Sequence, residues 1–434
     1  MGNILLFSGG RSGNNASMTL VQALIENGHR VVYFDIANDR PYLERQGYEV
    51  YSLKPVGLEK RERPKKDPFV FLKFRAMIRQ KMQSMDLIYS YGEQWLDVNG
   101  IDLVLMDSNS FELAVPFLKK KIPIVNVTCT LSALNRNGGP PVFSRLVPSN
   151  DPGVFSGIRY RMAWFRILFP QYIKEGMAAI LLRIAFGTRP FESIEMKIKK
   201  YGGTLKRTEY GRRLSAPEII MGPKCIDYPL SREVPGRMYA NACVYEGRKD
   251  LSFDFACLDQ KKPIIYCAVG TCSGNYAHKN NLQLCVVKAM EMLPDYQLLL
   301  QGAEEDQLDF GTTMPSNVRI AKILPQLEVL KRAKIFITHG GFASIREGVF
   351  YGVPMMVFPG WHDQFGNAAK VVYHGIGLRG NMRNIKPRKL VGMVKEIASS
   401  DEIARRIQTM QKEMRKQDEL NASIEFIESM LKSK

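Results

Sequence analysis

The sequence has no close cysteine pair, no long apolar run and no basic leader, and each absence excludes a class of protein. Its seven cysteines contain no Cys-x-x-Cys pair, and an odd number cannot close into a complete disulfide framework. No run of residues approaches the length and apolarity of a membrane-spanning helix. Residues 1–7 are typical of a short strand before glycines rather than of a signal peptide. We therefore expect a soluble cytoplasmic protein whose thiols stay reduced.

Basic residues outnumber acidic ones, and this excess is distributed unevenly along the sequence. The 434 residues include 61 Lys and Arg against 43 Asp and Glu, which gives a net charge of +18. Most of the excess lies before residue 220, in the segments 54–66, 73–81, 119–121 and 159–213. Such a charge favours nucleotides, nucleic acids or anionic lipid surfaces as partners, and a merely solubilising surface is the alternative. Nucleic acid is the weakest of these interpretations, because no recognised motif or aromatic stacking platform accompanies the charge.

The order of predicted strands and helices indicates two α/β halves. Residues 3–35 alternate strand, glycine-rich loop, helix and strand, which is the start of a βαβ series. The spacing of Gly9, Gly10 and Gly13 is not that of a dinucleotide fingerprint. A second series begins near Lys262 and ends in helices from Pro387 onward. We predict a first domain at residues 1–222, a linker at 223–260 and a second domain at 261–434.

Two segments of the first half depart from this pattern. Residues 128–152 form a polar, proline-rich loop, and a loop of this length is more often a binding element than a simple connection. Residues 157–187 mix aromatic and aliphatic side chains with arginines, and Pro170 is expected to divide them into two helices. We favour an inward-folded lid or core element for this segment, with its arginine heads in solvent. Binding to a membrane surface is the alternative.

The stretch from Thr338 to Gly348 has the features of an anion site. It follows the apolar run 335–337, and its glycine pair leads into a predicted helix, so several backbone N–H groups converge. The dipole of that helix favours negative charge at the same point. His339 and Ser344 add side-chain donors, and Glu347 can accept hydrogen bonds from sugar hydroxyls. These residues predict a site for the diphosphate of a sugar nucleotide.

The sequence around this site resembles that of a known family. Residues 324–369 read LPQLEVLKRAKIFITHGGFASIREGVFYGVPMMVFPGWHDQFGNAA. This stretch is similar to the signature of the nucleotide-sugar-dependent glycosyltransferases, which include plant and animal UDP-glycosyltransferases and bacterial macrolide glycosyltransferases. The opening strand, loop and helix and the Gly28-His29 pair match the family more weakly. The matching positions in the second half are Pro325, Gln326, Leu330, Thr338, His339, Gly340, Gly341, Ser344, Glu347, Gly352, Val353, Pro354, Pro359, Asp363, Gln364, Asn367 and Ala368.

The resemblance implies a GT-B architecture, in which two Rossmann-like parallel-sheet domains face each other across a cleft. The first domain is then expected to bind the acceptor and the second the sugar nucleotide. The resemblance further implies that His339 and the amides from Gly341 onward hold the diphosphate, together with Ser344 and Thr271. Glu347 is expected to bind the ribose hydroxyls.

The same resemblance assigns roles nearer the base and the sugar. Gln326 and its neighbours are expected to face the nucleobase, and Asp363 and Gln364 to bind the hydroxyls of the transferred sugar. The implied reaction inverts the anomeric carbon by direct displacement. The sugar nucleotide is a co-substrate, so no cofactor is expected, and no Asp-x-Asp sequence near this stretch indicates a metal.

One residue of the family pattern is missing from the first half. The family usually carries a catalytic histidine after its first strand, oriented by an aspartate. Asp107 stands where that aspartate is expected, whereas Gly13 occupies the position of the histidine. Asp107 could itself take the proton, the acceptor could need little activation, or the protein could bind donor without turnover. His362 and His278 are outside candidates for a substitute base.

We therefore predict an inverting glycosyltransferase that moves a hexose from a UDP- or dTDP-sugar to a hydrophobic small molecule. Residues 128–152 and 157–187 suggest that the acceptor is a polyketide or other natural product, a carotenoid or a sterol-like compound. We also expect the protein to contact a membrane surface. One alternative is a sugar-nucleotide-binding protein without transferase activity. The other is a GT-B epimerase of UDP-N-acetylhexosamine.

Overall fold

The computed structural model describes residues 1–35, 39–52, 70–131, 139–148, 154–186, 193–229, 234–270, 278–302 and 314–432. Within these ranges the chain forms two parallel sheets flanked by helices, and one short hairpin. The prediction of two Rossmann-like halves is confirmed. None of the described helices is long and apolar enough to cross a membrane.

The first sheet is built from apolar runs in the first half of the chain. The described strands before residue 240 are β1 (Asn3–Phe7), β2 (Arg30–Asp35), β3 (Glu49–Ser52), β4 (Leu103–Asp107), β5 (Ile124–Thr128), β6 (Leu205–Thr208), β7 (Gly211–Leu214), β8 (Glu218–Ile220) and β9 (Arg237–Tyr239). Seven of them form a parallel sheet in the order β3-β2-β1-β4-β5-β8-β9, and β6 pairs antiparallel with β7. Strands β4 and β5 are buried along their whole length, because helices cover both faces of a parallel sheet.

Six of the described helices lie in the first half of the chain. They are α1 (Arg11–Glu26), α2 (Arg40–Gln46), α3 (Val70–Asn99), α4 (Val115–Lys119), α5 (Val154–Phe186) and α6 (Ile194–Lys200). The glycine-rich loop after β1 is short, because α1 already begins at Arg11. The chain completes its turn at Gly10, whose φ is 86° and whose amide donates to the carbonyl of Ser8 over 2.7 Å. Gly13 therefore lies inside the helix.

Pro170 does not divide the arginine-rich segment. Helix α5 continues through it as one element of 33 residues. Proline removes one backbone hydrogen bond, but Pro170 is exposed, so water can satisfy the freed carbonyl. The prediction of two helices is wrong for this reason.

The second sheet repeats the same architecture. Its strands are β10 (Ile264–Ala268), β11 (Gln297–Gln301), β12 (Val318–Ala321), β13 (Ala333–Thr338), β14 (Met355–Val357) and β15 (Gly377–Arg379), and their order is β12-β11-β10-β13-β14-β15. The helices are α7 (Lys279–Met290), α8 (Gln326–Leu330), α9 (Phe342–Phe350), α10 (Gln364–Tyr373), α11 (Pro387–Ser399), α12 (Asp401–Met414) and α13 (Asp418–Lys432). The central strands β10 and β13 place Gly270 and His339 side by side just beyond their carboxyl ends.

The last helix returns to the first sheet. Leu420, Ile424 and Ile427 of α13 are buried in the same apolar cluster as Ile4 and Leu24. Strand β9, within the stretch predicted as a linker, is also part of the first sheet. The division at 1–222, 223–260 and 261–434 remains a proposal, and these two contacts describe how its parts interlock.

Candidate functional site

A cleft of about 510 Å³ lies between the two halves. Gln326, His339, Gly341, Ser344 and Glu347 all line it, so the fold brings together five residues that the sequence singled out. The first half contributes Arg11, Ser12, Asn15, Tyr42 and Arg45. Since His339 follows β13 and Arg11 follows β1, the cleft lies at the carboxyl ends of both sheets, where open parallel sheets bind ligands.

The turn between β13 and α9 is shaped for close approach of a ligand to the backbone. Gly340 has a φ of 84°, and a Cβ there would lie 2.5 Å from Val357 Cγ1, so only glycine fits. Asn367 holds the turn in place by donating from Nδ2 to the Gly340 carbonyl over 2.9 Å. The first amides of α9 have no acceptor within the helix, and Gly341 and Ser344 at this end of the helix line the cleft. This arrangement favours an anion.

His339 is packed between two glycines. Cβ atoms on Gly270 and Gly341 would each lie 2.5 Å from its ring, so both backbones press against the imidazole. Burial lowers the pKa of His339 to about 4, against a hydrogen bond to the Ala268 carbonyl that acts in the opposite direction. At neutral pH the ring is therefore neutral, and its one N–H donates to Ala268. It remains a proposal that His339 donates a hydrogen bond to the diphosphate. This role requires its second ring nitrogen to gain a proton.

Glu347 is held by two partners inside the cleft. Arg248 Nη1 lies 3.1 Å from Glu347 Oε1, and Gln326 Nε2 donates to Glu347 Oε2. Gln326 in turn accepts from the hydroxyl of Tyr266 over 3.2 Å. Arg248 also pairs with Asp250, its Nη2 lying 2.8 Å from Oδ2. The carboxylate predicted to bind a ribose is thus oriented before any ligand arrives.

Asp363 and Gln364 lie on the other side of the same turn. The Asn367 amide that holds the Gly340 carbonyl also donates to Asp363 Oδ2 over 3.1 Å. Gln364 Oε1 accepts the amides of Gly360 and Trp361 over 2.9 and 3.0 Å. Burial raises the pKa of Asp363 to about 6. In the described part of the chain, neither residue belongs to the lining of the 510 Å³ cleft, although both flank the turn between β13 and α9.

Asp107 lies beneath the turn after β1. Its Oδ1 accepts the amide of Asn109 over 2.7 Å, and the amide of Gly9 also donates to it. A Cβ on Gly9 would lie 2.3 Å from Asp107 Oδ2, so this glycine backbone covers the carboxylate. Burial raises the pKa of Asp107. Among described residues, Asp107 is not part of the cleft lining, and a Cβ on Gly13 would lie 3.5 Å from Cys129 Sγ.

The other candidate residues are distributed as follows. Thr271 lies outside the described residues. His278 precedes α7 and is likewise outside the described cleft lining. His362 has a φ of 48° and stacks on Phe143 with ring centroids 4.9 Å apart. No cluster of His, Cys, Asp or Glu suited to a metal ion occurs within the part of the chain that is described.

Three side chains near the site were not predicted from the sequence. Arg11 pairs with Asp39 over 2.8 Å and lies over the ring of Tyr42, 3.7 Å from its centroid. Arg248 pairs with Glu347, as described above. Glu209, in the turn between β6 and β7, accepts the amides of Val142 and Phe143, both over 2.9 Å. Burial raises the pKa of Glu209 to about 7. An Arg or Glu that belongs to no sequence motif cannot be identified from the sequence as making such contacts.

The comparisons with known proteins agree with this geometry. Residues 226–429 match the profile of the family described as UDP-glucoronosyl and UDP-glucosyl transferase. The chain is 30% identical over 146 residues to the oleandomycin glycosyltransferase of Streptomyces antibioticus, covering 33% of this chain and 34% of that protein. It is 28% identical over 173 residues to the zeaxanthin glucosyltransferase of Pantoea ananas, covering 39% of each. The chain therefore spans little more than a third of the length of these relatives.

The fold likeness extends over the whole chain. A solved structure of the glycotransferase of kitacinnamycin has a TM-score of 0.70 to this protein, with 21% identity over 99% of this chain and 98% of that one. At this identity the likeness shows the GT-B fold alone. The sequence likeness to the UDP-glucoronosyl and UDP-glucosyl transferase family covers residues 226–429.

Proposed function

We propose that this protein is an inverting glycosyltransferase that transfers a hexose from a UDP- or dTDP-sugar to a hydrophobic small molecule. The observation that carries the proposal is the convergence of the α9 amides, Ser344, Glu347 and Gln326 on one cleft. Amides at a helix N-terminus suit a diphosphate, and a preoriented carboxylate suits a ribose diol. The zeaxanthin and oleandomycin enzymes, whose names indicate hydrophobic acceptors, support the acceptor class.

In the proposed reaction, an acceptor oxygen attacks the anomeric carbon from the face opposite the diphosphate. The bond from that carbon to the β-phosphate oxygen breaks, and its electron pair leaves with the nucleoside diphosphate. The amides after Gly341 stabilise the departing charge, which is electrostatic catalysis by preoriented donors. Asp363 and Gln364, beside this turn, bind the sugar hydroxyls, and Thr271 completes the phosphate contacts. The residues needed for this scheme include no metal ligand.

We assign Asp107 as the base that takes the proton from the acceptor. Its raised pKa makes its carboxylate a better base than an exposed aspartate, but the Gly9 backbone separates it from the cleft. The proton therefore passes through water or a small movement of the turn at Gly9 and Gly10. A phenol or carboxylic acid needs less help than an alcohol. An Asp107→Asn variant should consequently lose more activity toward an alcohol acceptor than toward a phenol.

The proposal also covers the setting of the reaction. The six described cysteines are all free, which fits a reducing compartment such as the cytoplasm. A lipophilic acceptor partitions into membranes, so the protein would take it from a membrane surface rather than from bulk water.

The function is tested by incubating the purified protein with UDP- and dTDP-hexoses and a panel of hydrophobic acceptors, with and without EDTA, and analysing the products by mass spectrometry. We expect a glycosylated product with inverted configuration that EDTA does not suppress. Glu347→Gln should weaken UDP binding by about tenfold to a hundredfold, since hydrogen bonds to a charged acceptor contribute about 1.5–3 kcal/mol. Glu328→Gln, at an exposed site on α8, is the matched control.

A binding protein without turnover is the second candidate, because the carboxylate assigned as base is covered by backbone. In that case a saturating sugar nucleotide, at about a hundred times its Kd, would stabilise the fold by about 2.7 kcal/mol while every acceptor stays unmodified. Conversion of a UDP-N-acetylhexosamine into its epimer without any acceptor would instead identify an epimerase. Either result would overturn the transferase proposal.

A further inference from the structure

Helix α5 leaves one side uncovered as far as Glu175, and residues 176–184 beyond it are exposed on nearly every side. Large apolar side chains on this side are exposed at intervals of three or four residues, the spacing of a single helix face. They include Ile158, Met162, Phe165, Phe169, Ile180 and Ile184. From Ile158 to Ile184 the face extends over about 39 Å, given a rise of about 1.5 Å per residue. We call this set of side chains the outer face of α5.

The opposite side of α5 is anchored to the protein. Tyr160 and Trp164 are buried, and Trp164 Nε1 donates to the Gly139 carbonyl over 2.9 Å. Glu175 accepts from Arg207 and Arg212 over 2.6 and 2.9 Å. The predicted role as a lid or core element therefore applies only to this inner side of α5. The outer face needs a separate explanation.

Basic residues flank the outer face. Successive residues turn by about 100° around a helix, which places Arg159 and Arg166 along one edge of the apolar face and Arg161 along the other. The same rotation places Arg183 within the face and Lys174 farther round the helix. All five are exposed. Glu175, the acidic residue of this helix, is turned inward in its pairs with arginines. The outer face is thus apolar in the middle and positive at its edges.

We infer that the outer face of α5 docks the protein on a bilayer that contains anionic lipid. Apolar side chains enter the boundary between headgroups and acyl chains, while flanking arginines pair with lipid phosphates. A second copy of the chain is a poorer occupant, because pairing two such faces brings arginines against arginines. The proposal extends the proposed function by naming the source of a lipophilic acceptor, but the binding it predicts is independent of catalysis.

The docked helix is connected to the candidate site. Gln171 Nε2 on α5 donates to the Glu209 carbonyl over 2.7 Å. The Glu209 carboxylate holds the amides of Val142 and Phe143, and Phe143 stacks on His362, next to Asp363. Three successive contacts therefore connect the docked helix to His362, the chain neighbour of Asp363.

Sedimentation of the full-length protein with lipid vesicles tests this inference. We expect at least about tenfold stronger binding to phosphatidylglycerol–phosphatidylcholine vesicles than to phosphatidylcholine alone, and a clear loss when salt is raised from roughly 0.1 M to 0.5 M. Replacing Phe165, Phe169 and Ile180 by serine should weaken binding by about tenfold or more. Replacing Arg159, Arg161 and Arg166 by glutamine should remove most of the preference for anionic vesicles.

Matched controls separate a surface effect from loss of folding. Val98→Ser removes an apolar side chain that is 85% exposed on α3, and Lys395→Gln with Lys412→Gln removes two charges from the C-terminal helices. Both control proteins should bind vesicles like the wild type, and all variants should keep its Tm. Equal binding of wild type and α5 variants, or dimer formation through α5 without vesicle binding, overturns the inference. Vesicle binding by a protein that transfers no sugar would overturn only the proposed function.

Discussion

At the scale of single residues, Glu347 shows how the cleft is prepared for its ligand. Both of its oxygens have protein partners, from Arg248 on one side and Gln326 on the other. A carboxylate can accept about four hydrogen bonds, so a ribose diol can join these partners without displacing them. Arg248 therefore acts as a positioning residue for Glu347.

Arg248→Met tests this positioning role. The side chains of Arg248 and Glu347 are each only 7% exposed, so the substitution leaves a buried carboxylate without its cation. We expect UDP affinity, measured by calorimetry, to fall about tenfold, and the free energy of unfolding to fall by about 3 kcal/mol. Arg45→Met, in the same cleft, should change UDP affinity much less. Tighter UDP binding by Arg248→Met would show instead that Arg248 competes with the ribose.

His339 predicts a specific pH dependence of stability. Its pKa falls from 6.5 to about 4 on folding, so the unfolded chain binds a proton more readily. The stability due to the neutral ring is complete above pH 6.5 and is lost as pH falls toward 4. The loss should reach about 3 kcal/mol for the wild type and be absent from His339→Gln, whose amide can still donate to Ala268. Urea unfolding of both proteins at several pH values measures this difference, and parallel curves would contradict it.

At the scale of elements, the β6–β7 hairpin fastens a loop of the first half against the second. Glu209 accepts the amides of Val142 and Phe143, and the Val142 carbonyl approaches so closely that a Cβ on Gly366 of α10 would lie 2.2 Å away. Arg379 continues the contact by donating to the Arg145 carbonyl over 2.8 Å. The loop 139–148 is therefore a bridge between the two halves.

Glu209→Gln should loosen this bridge. An amide side chain offers one oxygen to two backbone donors, so one of the Val142 and Phe143 amides loses its acceptor. We expect faster hydrogen exchange in the peptide that contains residues 142 and 143, by about fivefold to tenfold if the lost bond contributes about 1 kcal/mol. Glu195→Gln, which removes a partner of Arg212 elsewhere on the same hairpin, is the control. Unchanged exchange in this peptide would exclude the proposed clamp.

At the scale of the whole molecule, the chain ties its two halves together by its last helix. α13 follows the second sheet but buries Leu420, Ile424 and Ile427 in a core of the first. Ser423 Oγ donates to the Tyr239 carbonyl over 3.0 Å, which fixes the helix against β9. The first half is therefore incomplete without the C-terminus of the chain.

Ile427→Ala tests how much this crossing stabilises the first half. Ile427 is fully buried, and truncating such a side chain typically costs about 2–5 kcal/mol. We expect urea unfolding followed by tryptophan fluorescence to shift by this amount, because Trp95 and Trp164 lie in the first half. Glu425→Ala, on the exposed side of α13, should remain within about 0.5 kcal/mol of wild type. An equally small effect of Ile427→Ala would mean that α13 is dispensable.

The sequence predicts the two α/β halves and a candidate anion site before α9. Both follow from local patterns, since apolar runs predict buried parallel strands and the glycine pair at 340 and 341 predicts a backbone open to a ligand. It did not determine the course of α1 and α5, because Gly13 and Pro170 are tolerated inside helices by their surroundings. Local propensity carries no information about those surroundings.

The tertiary structure brings together residues that lie far apart along the chain. Arg248, Glu209 and α13 act on partners between 66 and about four hundred positions away along the chain. It also placed Asp107 under the Gly9 backbone, which spacing along the chain cannot reveal. The physical reason is that motifs record contacts within one turn or loop, whereas burial, ion pairing and pKa shifts arise from segments that meet only when the sheets pack.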